Sequence, residues 1–145
     1  MNDPSILEHN RVILCHFDSY STALLFARYG SGVLAPAPLP AAASAMPQPG
    51  DAGERHTPGA VLHALVTQYR LDPTQLRLDD DFQAWMSSDH GPIRIHLARF
   101  TAFDAPRQAI EPQGGVFKAI SEMRGVPMIE LNLLRQVINL IMGGG

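Results

Sequence analysis

Residues 82 to 103 contain two runs of alternating apolar and polar side chains, separated by the loop Ser88-Asp89-His90-Gly91. Such alternation is typical of strands with one face toward a core. When Ser87 is placed opposite Pro92, the cross-strand pairs on one face of the hairpin are all apolar. These pairs are Phe82 with Leu97, Ala84 with Ile95, and Met86 with Ile93. A shift by one residue would put polar side chains among them, so the pattern predicts this register.

The other face of the predicted hairpin is polar and carries an aromatic ring. Its pairs are Gln83 with His96 and Trp85 with Arg94. These four side chains are able to bind an anionic or planar small molecule through charge-assisted hydrogen bonds and stacking. The simpler interpretation, which we favour, is that Trp85 covers the Arg94 stem and that the face serves the sheet alone.

The start of the chain predicts a strand followed by a helix. Residues 12–17 begin with four consecutive apolar positions, which favours a well-covered strand. Asp18 or Ser19 is a suitable N-cap for a helix over residues 23–28, and the glycines that follow are suitable for ending it.

Residues 35–57 are rich in proline and alanine and contain no aromatic side chain. Proline lacks an amide donor, and the remaining side chains offer little to a core. The composition therefore predicts a flexible surface insertion without regular structure.

Two amphipathic helices are predicted in the rest of the chain. Thr57-Pro58 combines a cap with proline at the first helical position, and the apolar stripe after it predicts a helix over residues 58–70. A second stripe predicts a helix over residues 127–142, which ends at the terminal glycines. Leu133 and Leu140 widen this stripe, so we predict that they contact a protein partner or a second copy of the chain.

Shorter elements complete the predicted architecture. Asp72-Pro73 predicts a single capped turn, residues 105–113 a loop, and residues 116–120 a further strand of the sheet. The expected fold is a single α+β domain over residues 1–145, with a small, mainly antiparallel sheet packed by helices.

Composition narrows the possible partners. Of the 145 residues, 46% are apolar and 17% are charged, and the formal net charge is -3 without a basic cluster. Nucleic acid is therefore not an expected partner. The longest apolar stretch is interrupted by charged residues, so no membrane span is expected. Cys15 is the single cysteine, which excludes an intrachain disulfide and favours the cytoplasm.

Candidate chemical groups do not form a recognisable catalytic or cofactor motif. Cys15 and His16 are adjacent, but consecutive residues of a strand point to opposite faces, which favours a buried structural cysteine. The six histidines lack zinc-site spacing, and Asp79-Asp80-Asp81 does not match a calcium loop. Gly30-Ser31-Gly32 and Gly114-Gly115 do not match a phosphate-binding loop. We therefore predict neither a metal nor a cofactor.

Two functions are consistent with these patterns. The favoured one is a cytoplasmic, non-catalytic interaction or accessory protein that acts through the apolar face of its C-terminal helix and a surface of its sheet. The alternative is a small enzyme or ligand-binding domain that recognises an anionic small molecule through Arg94 and His96, with Trp85 as a stacking wall.

Overall fold

A seven-stranded sheet organises the chain. The computed structural model describes residues 6–18, 20–49 and 56–143. Its strands and helices, in chain order, are β1 (Asn10–Asp18), β2 (Ala23–Tyr29), β3 (Ser44–Met46), α1 (Pro58–Tyr69), β4 (Leu76–Leu78), β5 (Ala84–Ser87), β6 (Ile93–Phe100), α2 (Arg107–Ile110), β7 (Gly115–Lys118) and α3 (Met128–Ile141).

The sheet is mixed and larger than the small sheet that the sequence predicts. Its strand order is β3-β5-β6-β1-β2-β7, and β4 pairs with β6. The two strands at its centre, β1 and β6, run parallel, from the pair Asn10 and Arg94 to the pair His16 and Phe100. Both strands therefore have their carboxyl ends at the same edge of the sheet. The prediction of an α+β fold is confirmed.

Helices cover both faces of the sheet. On one face, α3 packs against apolar side chains of β1, β2 and β6, among them Ile13, Phe26 and Leu97. On the other face, α1 packs against a second apolar cluster that includes Val12 and Leu14. Because β1 is covered on both sides, both sets of its alternating side chains are apolar, which accounts for its continuous hydrophobic run.

The predicted hairpin register is confirmed where β5 and β6 pair. Its three pairs are Ala84 with Ile95, Trp85 with Arg94, and Met86 with Ile93. The next two predicted pairs do not form, because residues 79–83 leave the ladder in a turn between β4 and β5. In this turn the amide of Asp79 donates to Leu97 O at 2.9 Å, and the amide of Phe82 donates to Asp79 O at 3.3 Å.

The helix predicted over residues 23–28 is wrong, since these residues form β2. Leu24 and Phe26 belong to the cluster beneath α3, whereas Ala27 belongs to the cluster beneath α1. A strand that is buried on both faces resembles a helix in its density of apolar residues. Asp18 does not cap a helix. Its carboxylate accepts the Tyr20 amide at 2.9 Å and so stabilises the turn from β1 to β2.

Most described residues of the proline- and alanine-rich segment are exposed or half-buried, but the segment is not without regular structure, contrary to the prediction. Ala35 is fully buried and exchanges two backbone hydrogen bonds of 2.9 Å with Val12. Further along, β3 pairs with β5. The composition of the segment alone does not indicate this pairing. Residues 50–55 of the predicted insertion lie outside the described residues.

The predictions for the two long helices are confirmed, with α1 and α3 within a residue or two of the expected ends. At the start of α1, Thr57 Oγ1 accepts the amide of Ala60 at 3.1 Å.

The predicted loop over residues 105–113 instead contains α2, whose Ile110 is fully buried. In the part of the chain that the structure describes, no helix is both long enough and apolar enough to cross a membrane.

Candidate functional site

The polar face predicted on the hairpin lies inside the protein. Trp85, Arg94 and His96 expose 9%, 8% and 3% of their surface. They belong to the sheet face that α1 covers, since His96 is paired with Val12 of that core cluster. Gln83 is exposed and lies before the start of β5, so the structure separates it from the other three.

The imidazole of His96 is hydrogen-bonded to the side-chain amide of Asn10. Its Nε2 lies 2.8 Å from Asn10 Oδ1, and Asn10 Nδ2 donates to Ile6 O at 2.8 Å. Because Oδ1 has no hydrogen, His96 Nε2 must be the donor. Burial, together with the charge of Arg94, lowers the pKa of His96 to about 3. The imidazole is therefore neutral at physiological pH and serves as a structural donor.

Arg94 and Trp85 contact each other as the simpler sequence interpretation predicts. The guanidinium carbon of Arg94 lies 5.6 Å from the Trp85 ring centroid, which is within cation–π range. The backbone of the same residue is fixed as well, since its amide donates to His9 O at 3.0 Å. Ligand binding by Arg94 and His96 would require the residues that cover them to move away.

The residues predicted for a helix interface have different environments. Leu133 is fully buried between α3 and the sheet. It is therefore not on the exposed helix surface that was predicted to contact a partner. Leu140 is partly buried and packs against the same core. The apolar stripe of α3 is wide because the sheet beneath it is larger than predicted, and this sheet covers most of the stripe.

Cys15 and His16 lie on opposite faces of β1, as expected of neighbours in a strand. Cys15 is fully buried, and burial raises the pKa of its thiol to about 12. His16 Nε2 lies 2.8 Å from Ala102 O and donates to it. This bond ties the segment after β6 to β1. The thiol is thus protonated at neutral pH and lacks the thiolate form that a nucleophilic cysteine requires.

A cavity of about 570 Å³ opens at the carboxyl ends of β1 and β6. Its lining combines charged side chains of β4, β6 and the turn after β4 with apolar side chains. The lining residues are Phe17, Arg77, Leu78, Asp79, Asp80, Asp81, Arg99, Phe100, Thr101 and Ala102. This volume is within the range of small-molecule sites in proteins.

Two arginines and one aspartate organise the charged wall of this cavity. Arg77 of β4 is directly opposite Arg99 of β6, so both side chains lie on one face of the sheet. Arg99 Nη1 donates to Asp79 Oδ2 at 3.4 Å. The other carboxylate oxygen, Oδ1, accepts the Asp81 amide at 3.0 Å. Asp79 therefore fixes both the turn after β4 and the position of Arg99.

Two exposed aromatic side chains flank the same end of the sheet. Tyr20 follows β1 and is 90% exposed, and Phe103 follows β6 and is 80% exposed. Because β1 and β6 are parallel neighbours, both residues leave the sheet at one edge. The hydrogen bond from His16 to Ala102 holds the segment with Phe103 next to β1. We name Tyr20 and Phe103 the aromatic rim.

The acidic run at Asp79-Asp80-Asp81 lines the cavity but does not form a cation site. Within residues 6–18, 20–49 and 56–143, no group of three or more His, Cys, Asp or Glu side chains is able to hold a metal ion. Asp79 instead accepts a hydrogen bond from the Asp81 amide and so stabilises the turn between β4 and β5.

The chain matches no protein-family model and no curated protein sequence.

The sequence did not predict the cavity or the aromatic rim. One indication of the cavity was available, because Arg99 continues the apolar face of Ile95 and Leu97 with a charge. A charged side chain at such a position requires a partner or an opening to solvent.

Proposed function

We propose that the chain is a cytoplasmic, non-catalytic interaction or accessory protein that binds a protein partner through the aromatic rim. The observation that carries this proposal is the near-complete exposure of Tyr20 and Phe103 at one edge of the sheet. Tyrosine is among the residues that dominate binding energy at protein interfaces. Burying one large apolar side chain contributes about 1.5–3 kcal/mol.

The contacts of α3 favour the sheet edge over the helix as the main binding surface. Most apolar side chains of α3 are fully or partly buried against the sheet. The exposed positions in the middle of the helix are polar, namely Asn132, Arg135, Gln136 and Asn139. Exposed apolar surface on this element is concentrated at Met128 and just beyond its end, at Met142.

Site-specific photo-crosslinking tests this proposal. A photoreactive phenylalanine analogue would replace Phe103 in one variant and Tyr20 in a second, each produced in cells that normally contain the protein. We expect both positions to capture the same protein, because both leave one edge of the sheet. A product with twice the mass of the chain would identify a second copy as the partner.

The matched control places the same analogue at Asp89, an exposed position of the loop at the opposite, amino end of β6. Position 89 should not capture that protein. Equal capture from all three positions, or no capture from positions 20 and 103, would contradict the proposal. As a further control, Tyr20→Ser should reduce capture from position 103, since the two side chains are proposed to contact one partner.

A further inference from the structure

Two like charges face each other in the cavity at the sheet edge. Arg77 and Arg99 are direct cross-strand partners, an arrangement that is unfavourable when nothing lies between the charges. Arg99 has an ion pair with Asp79, whereas Arg77 has none with any described residue. Arg77 is also exposed, so its guanidinium is accessible from solvent. This pair of donors is suited to a carboxylate that approaches from the cavity.

The acidic side chains of the cavity restrict what such a carboxylate can belong to. Asp79 already accepts hydrogen bonds from Arg99 and from the backbone of the turn. Asp80 and Asp81 are exposed and line the same cavity. They would repel a simple anion, but they would attract a ligand that also carries an ammonium group. The charges of the wall are therefore complementary to a zwitterion.

An apolar side chain, Phe17, lies on the same sheet face as the two arginines, because Cys15, two residues earlier in β1, is paired with Arg99. Leu78 and Phe100 also belong to the lining, but they alternate with Arg77 and Arg99 and so lie on the other face of the sheet. An apolar or aromatic body would contact Phe17 while its charged groups bind the arginines and aspartates. Sites for small molecules commonly combine an apolar lining with a few placed polar groups in this way.

We propose that this cavity binds a small amino-carboxylate compound, such as a free amino acid with an apolar side chain. Its carboxylate binds between Arg77 and Arg99, and its ammonium group binds Asp80 or Asp81. This inference goes beyond the proposed function, because Tyr20 and Phe103 do not line the cavity. Failure of either proposal would leave the other intact.

Nuclear magnetic resonance titration of the ¹⁵N-labelled full chain with individual amino acids tests the inference. The probes are the common L-amino acids, with L-phenylalanine as the first. We expect a saturable shift of the amide signals of Arg77, Arg99 and the turn after β4. In Arg77→Gln the shift should be lost or weakened at least ~10-fold, because a charge-assisted pair to the carboxylate is removed. Arg107→Gln, at an exposed arginine of α2, is the matched control and should bind as the wild type does.

Two analogues of L-phenylalanine separate the two charges. L-Phenylalaninamide lacks the carboxylate and N-acetyl-L-phenylalanine lacks the ammonium group, and we expect both to bind more weakly than the free amino acid. If the acetylated compound bound equally well, the cavity would be a simple anion site and the inference would be wrong. It would also be wrong if no amino acid gave a saturable shift, or if folded Arg77→Gln bound as tightly as the wild type.

Discussion

His96 donates a hydrogen bond to Asn10 across 2.8 Å, from the polar row of β6 to the start of β1. The same asparagine donates to Ile6 O, so one buried amide links the N-terminal segment to the centre of the sheet. Buried polar groups cost free energy unless they are paired. The pair accordingly makes folding of this region sensitive to the protonation of His96.

We predict that acid destabilises the protein through His96. Its pKa is about 3 in the folded chain and 6.5 without the fold, so the unfolded chain binds a proton first. The contribution of neutral His96 to stability is therefore fully present above pH 6.5 and is lost as the pH falls from 6.5 toward 3. The free energy of unfolding should fall by about 2 kcal/mol between about pH 7 and about pH 5. Urea unfolding at both pH values measures it.

The informative variant is His96→Gln, because glutamine retains an N–H donor but does not titrate in this range. Its free energy of unfolding should change less between the two pH values than that of the wild type. His63→Gln, at an exposed position of α1, serves as the control. If both variants and the wild type lost equal stability, His96 would not be the group that responds to acid.

A second prediction concerns Glu130, which is only 2% exposed and accepts the Val33 amide at 2.8 Å. Burial raises the pKa of this carboxyl above its usual 4.5. Its contribution to stability is present below pH 4.5 and is lost as the pH rises through the folded-state pKa. Glu130→Gln should therefore gain thermal stability relative to the wild type as the pH rises. A difference that is constant with pH would show that folding does not raise the pKa of this carboxyl.

A third prediction follows from the burial of Cys15. Its thiol is fully covered and has a pKa of about 12, so it should not react with an alkylating reagent in the native protein at neutral pH. In denaturant it should react at the rate of a free cysteine. Mass spectrometry of both samples measures this difference. Rapid modification of the native chain would mean that β1 opens to solvent.

The fourth prediction tests the contact between β7 and its neighbours. A Cβ atom at Gly115 would lie 2.7 Å from a ring carbon of Tyr29 and 2.9 Å from Cβ of Ile110. Gly115→Ala should therefore cost about 1–3 kcal/mol of stability through overpacking. Gly59→Ala is the matched control, because a Cβ there meets no atom within 4 Å and alanine is the better helix former. Equal stability of the two variants would contradict the packing described for β7.

The elements that were predicted correctly are those whose residue pattern fits only one kind of secondary structure. The pairing of Trp85 with Arg94 followed from a period of two on both sides of a short loop, and the start of α1 from its cap and proline. β2 was missed because burial on both faces removes the alternation that marks a strand. β3 was missed because three residues among prolines carry too little pattern.

The candidate site could not be predicted from the sequence, for a different reason. Arg77 and Arg99 meet because β4, which precedes the predicted hairpin, pairs with the carboxyl half of β6. Tyr20 and Phe103 lie at one edge because β1 and β6 are parallel. Both relationships join positions that are distant in the sequence, and no local pattern encodes them.

The most direct test of the proposed function compares two double variants for binding to the protein captured from positions 20 and 103. One is Tyr20→Ser/Phe103→Ser, and the other is Met128→Ser/Met142→Ser, which removes the exposed apolar side chains at the ends of α3. The measurement is the dissociation constant of each variant by isothermal titration calorimetry. We predict that the first variant binds at least ~10-fold more weakly than the wild type and that the second binds like it. Loss of binding in the second variant alone would assign the interaction to α3 and contradict the proposed role of the aromatic rim.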